Sequence, residues 1–317
     1  MIRPACLLAA LALSFGLVAC GETGDEGGLD TSANRIEKDA DNGDVEITIG
    51  SKNFTEQYIL GEIYAQALAA AGYDVETRLD LGSETTALRA LERGEVDAYP
   101  EYASTALTSF FHLPAEEVPA DGAQAFAETH DDFARLGLIA FPPTPFSSAN
   151  AVGLLTETAD ELNVTKVSDL EGISREQTLS GSPECRRRID CLLGLERNYR
   201  LEFERFEPVD IDRRYKVLAE GDADLSILFT TDAQLFVSDE FVILEDDREV
   251  LPAGNVLFVA REVTAQEAGA DFGATIESVQ ENLTLETMQE LNARVDVDRV
   301  QPADVAEQYL KEFGYIG

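Results

Sequence analysis

The sequence predicts an α/β protein of two lobes joined by two crossover strands, a hinged clamshell. Three observations predict it. Strand-like and helix-like patterns alternate along the chain, beginning with ITIGSKNFTEQYILGEIYAQALAAA at Ile47–Ala71. A strand–helix–strand order occurs twice, and its text repeats: RALERGEVDAYPEYAST at 89–105 against KVLAEGDADLSILFTTD at 216–232. Such paired halves point to two α/β lobes. Finally, a Pro-rich elbow and a later return strand give two crossings between the halves, the plan of a molecule that closes around a ligand.

Ile47 and Ile49 alternate with Glu46 and Thr48, the period of a strand with one buried face. Gly50 and Ser51-Lys52-Asn53 stop it. Ile59, Ile63 and Ala67 then recur every four residues beside Leu60, Tyr64 and Leu68, which predicts a helix. Asn53 with Glu56 three residues on fits a reciprocal N-terminal cap. The loop exposes N–H groups at the carboxyl end of a strand, where open α/β sheets bind ligands. Ser51, Asn53 and Gln57 are candidates there, and capping explains them about as well. Val75, Thr77 and Leu79 form a second strand. Gly82-Ser83-Glu84 turns into a helix through Ala87, Leu88 and Leu91, closed by Gly94. Glu95–Tyr99 is a third strand, with Pro100–Thr105 as the loop at its end.

Leu138–Ala140 and Ala149–Leu155 flank the elbow Pro142-Pro143-Thr144-Pro145. A strand from Leu179, a Gly/Pro/Arg loop Ser180–Cys191 and a helix Leu192–Tyr199 follow. Then come a strand Leu201–Phe206, a helix Arg213–Glu220, a strand Leu225–Phe229 and the polar loop Thr230-Thr231-Asp232. Val256–Val259 is the return strand after Pro252-Ala253-Gly254-Asn255. Helices at about 270–282, 285–295 and 302–314 are expected to pack back on the first lobe. Lobe 1 is thus expected at 45–146 and 256–317, and lobe 2 at 147–255.

The 317 residues are 44% hydrophobic, enough for one large or two medium cores. The 61 Asp and Glu against 24 Lys and Arg give a net charge of −37, spread along the chain. Nucleic-acid phosphates and anionic lipid surfaces would be repelled, so no nucleic acid is expected as a partner. A charge this negative keeps a protein dispersed and suits a salty medium that screens it.

Met1-Ile2-Arg3 is a basic start, and Leu7–Val18 is an apolar run too short to span a bilayer. It ends in Leu17-Val18-Ala19-Cys20-Gly21, which resembles a bacterial lipobox. In that pattern the signal, residues 1–20, is cut before Cys20, whose thiol carries a lipid. Residues 21–44 are rich in Gly, Glu, Asp, Thr and Ser and read as a flexible tether. The expectation is export and anchoring to the outer face of the cell membrane. Cys6 leaves with the signal, so Cys185 and Cys191 remain close together in an exported chain, where a disulfide is expected. His112 and His130 have no partner at ligand spacing, and neither metal nor cofactor is expected.

Ile49-Gly50-Ser51-Lys52-Asn53-Phe54-Thr55-Glu56-Gln57-Tyr58-Ile59-Leu60-Gly61-Glu62, followed by Gly94-Glu95-Val96-Asp97 and Pro100-Glu101-Tyr102, resembles the substrate-binding proteins of osmoprotectant ABC importers. Phe229-Thr230-Thr231-Asp232, Leu244-Glu245-Asp246-Asp247 and Leu291–Val297 resemble the same family, in the same order. The match runs from about Val45 to Gly317. The resemblance implies a periplasmic-binding-protein-like (type II) fold with no enzymatic activity. It implies a small osmolyte such as glycine betaine, choline or carnitine as ligand, and an ABC permease as partner. A monomer is expected. In the family, aromatic rings hold the cationic head by cation–π attraction and polar groups hold the carboxylate or hydroxyl. Carried over, Tyr102 and Phe229 fall at cage positions, Thr105 at a polar contact and Arg188 at a carboxylate-binding arginine. Two positions depart. Asn150 and the Gly254-Asn255 pair stand where the family commonly has tyrosines. Half the cage is therefore missing, and Asn150 and Asn255 offer hydrogen bonds to a more polar ligand.

Blander readings compete. Tyr102 and Phe229 could serve only as core, since buried aromatics mostly supply area. Arg188 lies among three consecutive arginines that could form a solvated cluster. Asp97 and Asp232 follow the strands, but carboxylates are too abundant here for their positions to weigh much. No GxxxxGK[ST], GxSxG or His-based pair suggests catalysis.

Overall fold

The computed structural model describes residues 34–317. The signal, Cys20 and the first part of the expected tether lie outside the described residues. In the first lobe, β1 (Glu46–Gly50), α1 (Thr55–Ala71), β2 (Asp74–Arg78), α2 (Glu84–Glu92) and β3 (Ala98–Tyr102) follow in order. β1 pairs in parallel with β2, and with β3 at Ile49–Ala98. A short helix α3 (Ala103–Thr105) runs into a π-helical turn, then α4 (Gly122–Ala134) and β4 (Leu138–Ala140).

The chain crosses through β5 (Ser147–Ser148) into a second sheet. Its elements are β6 (Asn150–Leu155), α5 (Thr156–Leu162), β7 (Thr178–Gly181), α6 (Leu192–Asn198), β8 (Arg205–Pro208), α7 (Arg214–Ala219), β9 (Leu225–Phe229), α8 (Ala233–Val237) and β10 (Phe241–Ile243). The sheet order is β10-β6-β9-β7-β8. The return strand β11 (Gly254–Arg261) then lies antiparallel between β3 and β4 in the first sheet. The two crossings touch: Ser147 and Ser148 pair with Asn255 and Gly254. The last helices are α9 (Glu262–Ala268), α10 (Ala270–Gln280), α11 (Leu285–Asp296) and α12 (Pro302–Glu312).

Helix α1 is buried around most of its circumference, because α10, α11 and α12 pack against it as well as the sheet. Ile59, Ile63 and Tyr64 share one core cluster with Phe272, Ile276, Val305 and Tyr309. A second cluster from α2, α4 and β11 covers the other face of the first sheet, and the second lobe has its own core around Val152, Leu179, Leu195 and Leu225.

The text repeat is a structural repeat. Gly94 and Gly221 make matching left-handed turns, at φ +68° and +73°, which favour glycine. Asp97 and Asp224 then each accept a neighbouring strand's N–H, from Thr48 at 3.0 Å and Thr178 at 2.7 Å. So Asp97 fastens the sheet and also pairs with Arg261 at 3.2 Å.

Four expectations change. The cap of α1 is Phe54 in an extended conformation, with no side-chain cap bond. Glu56 turns inward instead of capping. The third strand runs three residues further, to Tyr102, so Pro100 lies inside it. Its β1 ladder has ended at Ala98, so the missing N–H of Pro100 costs no pairing. Leu201 is fully buried but irregular, and the next strand starts at Arg205; its apolar signal came from core packing. Residues 34–44, expected in the tether, are held: Ile36 donates to Tyr315 O at 3.0 Å, and Asn42 to Ala71 O at 3.0 Å.

Candidate functional site

Both repeats end their last strand facing one cleft between the lobes. β3 delivers Tyr102 and β9 delivers Phe229, the positions matched by the repeat. Phe54, at the start of α1, joins them. Its ring centroid lies 6.2 Å from that of Tyr102 and 5.3 Å from that of Phe229. The cleft holds about 830 Å3 free of protein atoms, mouth included. Thr105 and Asn53 line it from the first lobe, and Asn150, Arg188 and Arg214 from the second.

Cations already sit against all three rings, with the Lys52 ammonium 5.9 Å from the Phe54 centroid. The Lys52 ammonium lies 4.4 Å from the Tyr102 centroid, and the Arg214 guanidinium 4.0 Å from the Phe229 centroid, both within cation–π range. Lys52 is buried and paired with the equally buried Glu101. Arg214 donates from Nε to Ile211 O at 2.7 Å and from Nη2 to Asp232 Oδ1 at 2.9 Å, while its buried Nη1 has no partner among the described residues. Asp232, which follows the last strand of its repeat, is thus a salt-bridge partner.

Arg188 is engaged within the protein. Its Nε donates to Asp190 Oδ1 at 2.8 Å and its Nη2 to Oδ2. Across the cleft it reaches Thr105 Oγ1 at 3.4 Å and Glu84 at 3.8 Å. Thr108 of the first lobe also donates to Asp190 at 3.1 Å. Burial opposes ionisation of Asp190, but the adjoining guanidinium outweighs it and holds the carboxyl below its ordinary value. Cys185 and Cys191 are bonded, with Cα atoms 5.2 Å apart, and close the loop that carries Arg188 and Asp190.

Behind Tyr102 lies Glu56, almost fully buried. The tyrosine hydroxyl and Asn292 Nδ2, the latter at 3.1 Å, both donate to it. Burial pushes its carboxyl up, against the pull of these hydrogen bonds. Burial, with Glu56 beside it, likewise pushes the Tyr102 hydroxyl well up, so it stays protonated.

Not every expected contact faces the cleft. Ser51 is buried and accepts from Asp80 N at 3.2 Å, and Gln57 accepts from Lys52 N at 3.2 Å; both shape the first loop from behind. Asn255 points elsewhere, donating to the carbonyls of Thr144 and Phe146 at 2.9 and 3.0 Å, where it staples the crossovers. Asn150 lines the cleft while donating to Asp190 O at 2.8 Å. Gly254 has no room for a tyrosine: a Cβ there would stand 2.3 Å from Ser104 Oγ and 2.6 Å from Ser104 N. Phe54, Lys52 and Arg214 escaped the sequence reading as site residues. The first two sit inside the quoted motif beside Asn53, whereas Arg214 carried no signal beyond its charge.

The chain matches the profile of the substrate-binding domain of the ABC-type glycine betaine transport system over residues 45–312. It is 32% identical over 277 residues to a glycine-betaine-binding protein of Pseudomonas aeruginosa, covering 84% of this chain and 87% of that one. It is 27% identical over 270 residues to an ergothioneine transport permease/ergothioneine binding protein of Helicobacter pylori, covering 84% of this chain and 48% of that one. Among solved structures, a glycine betaine/carnitine/choline ABC transporter crystal structure superposes with a TM-score of 0.67 at 24% identity, over 84% of this chain and 99% of that one. That likeness is one of fold. With the profile spanning nearly all the described residues, the chain belongs to the family of substrate-binding domains of ABC-type glycine betaine transport systems.

Proposed function

We propose that the protein captures a compatible solute of the glycine betaine, choline or carnitine type in its interlobe cleft and delivers it unaltered to an ABC permease. The observation that carries this reading is the convergence of Tyr102 and Phe229, at the strand ends of two repeated halves, with Phe54 at the start of α1, within a chain of this family. Closing the lobes would bury the solute against Tyr102 and Thr105 from one side and Phe229 and Asn150 from the other. Family members act outside the cytoplasm. The lipobox resemblance at Cys20 supports a lipid anchor on the outer face of the membrane.

Calorimetry against betaines, choline, carnitine, ectoine and amino acids tests the reading. Tyr102→Ala is expected to weaken the bound solute at least tenfold, about 1.4 kcal/mol. Unchanged affinity would remove Tyr102 from the site, and turnover of the solute by the purified protein would replace transport with catalysis. A second reading, a more polar solute without a quaternary amine, is favoured by the cations already seated on the rings of Tyr102 and Phe229. The ectoine and amino-acid arms of the same panel decide between the two.

A further inference from the structure

Helix α11 lies outside both repeats, yet it grips the second of them. Gln289 and Asn292 are three residues apart and share one face of the helix. Gln289 Nε2 donates to Thr230 O at 3.2 Å and Asn292 Nδ2 to Thr231 O at 3.0 Å, two successive carbonyls of the loop after β9. Phe229 ends β9, directly before that loop. Asn292 also faces the first lobe. The same Nδ2 donates to Glu56 Oε2 at 3.1 Å, and the Tyr102 hydroxyl donates to the other oxygen of that carboxyl. One amide nitrogen thus joins the support of Tyr102 to the support of Phe229. Asn292, Glu56 and Thr231 are all buried, and neither Glu56 nor Asn292 lines the cleft.

The bridge leaves Asn292 Oδ1 buried with no partner among the described residues. An unmet acceptor of that kind is rare and unfavourable. Turning the amide over would not help, since Oδ1 would then face the Thr231 carbonyl, acceptor against acceptor. The two acceptors therefore hold the amide in one orientation. Thr231 is tied on its other side as well, its Oγ1 lying 3.1 Å from Ser148 Oγ in the first crossover. A swing of lobe 2 away from α11 would break the bond to Thr231 O and free the amide to turn, loosening Glu56 behind the Tyr102 ring.

We propose that Asn292 and Glu56 are positioning residues: they tie the orientation of the Tyr102 ring to the place of lobe 2, and so set solute affinity from outside the cleft. The inference deepens the proposed function and rests on its placement of the solute beside Tyr102. A side chain that bridges two movable parts biases the equilibrium between their arrangements, and a ligand that favours one arrangement gains from it. A merely structural asparagine would support stability and leave affinity alone.

Calorimetry with glycine betaine, or with choline, carnitine or ectoine should betaine not bind, is run on the wild type, Asn292→Ala, Tyr102→Phe and the double variant. Thermal melts confirm folding. Asn292→Ser, too short to reach both acceptors, takes the place of the alanine variant if that one does not fold. Tyr102→Phe keeps the ring and removes only its link to Glu56. Each single variant is expected to bind about fivefold more weakly, the worth of roughly one hydrogen bond. The double variant is expected to lie within about twofold of the weaker single one, because both substitutions cut the same chain of contacts. Glu56→Ala is expected to match Asn292→Ala, whereas Glu56→Gln, which keeps the shape and can still bond both neighbours, should stay within about twofold of the wild type. Losses that multiply in the double variant, or a folded Asn292 variant of unchanged affinity, would overturn the inference. If none of the four solutes binds the wild type, the proposed function fails, and small-angle scattering of the solute-free protein still decides the bridge. Asn292→Ala is then expected to be more extended than the wild type, and an unchanged radius of gyration would end the proposal.

Discussion

Glu56 is a buried carboxyl with no salt-bridge partner among the described residues. Burial raises its pKa above the ordinary 4.5, and the hydrogen bonds from Tyr102 and Asn292 only partly offset that. The sign follows from linkage. The folded protein holds this proton more tightly than the unfolded chain. The favourable contribution is complete below the ordinary carboxylate value and is lost as pH rises through the raised one. Glu56→Gln keeps the shape and removes the titration. Its amide can donate to the Tyr102 oxygen, because a hydroxyl accepts as well as donates. The variant is therefore expected to melt higher than the wild type at neutral pH, with the gap closing towards pH 4. Melting curves across that range check it; a gap that does not change with pH would place the proton elsewhere. Arg188 and Asp190 run in the opposite sense, since the depressed carboxyl of Asp190 stabilises above its ordinary range and ceases to when protonated.

At the scale of elements, the two crossovers are the part a sequence reads least well. The strands and helices of both lobes were legible because their periodicities are local: β9 and the three long C-terminal helices fall within a few residues of expectation. The repeat named the two strand ends that meet in the cleft, Tyr102 and Phe229. Pairings across long separations left no such trace. Asn255 is an ordinary polar residue in the text, yet in space its amide holds the carbonyls of Thr144 and Phe146, and Thr144 Oγ1 accepts from Val256 N at 3.0 Å. Gly254 is small because Ser104 lies against it, a reason visible only in the folded chain. Arg214 was hidden for a related reason: Ile211 O is only three residues away, but the Asp232 carboxylate that fixes it comes from the loop after β9. Asn255→Ala removes two donated bonds and leaves the Thr144 carbonyl short of a donor, while Phe146 O keeps the Thr144 hydroxyl, so it is expected to cost about 1–3 kcal/mol of stability. Solute affinity should change less than it does in Tyr102→Ala. Denaturant titration with parallel calorimetry tests this, and a tenfold affinity loss at unchanged stability would return Asn255 to the binding site.

For the whole molecule the governing quantity is the charge of −37. Repulsion among exposed carboxylates works against compactness, and it is felt most where solvent alone separates them. At low ionic strength the Debye length reaches about 30 Å and the surface repels as one body; by about 0.15 M it has fallen to about 8 Å and only near neighbours interact. The paired charges of the cleft are a separate population. Lys52 with Glu101, and Arg214 with Asp232, are buried at both ends and lie beyond most of this screening. Added NaCl should therefore raise the melting temperature while leaving these pairs, and the cleft they shape, largely as they are. The expected result is a midpoint that climbs by several degrees between about 0.02 M and about 0.3 M NaCl, steepest at the dilute end where screening changes fastest. Sucrose at matched osmolarity separates screening from general solute effects, because a neutral solute does not shorten the Debye length. A midpoint flat or falling with salt would mean that carboxylate repulsion is not what limits this fold.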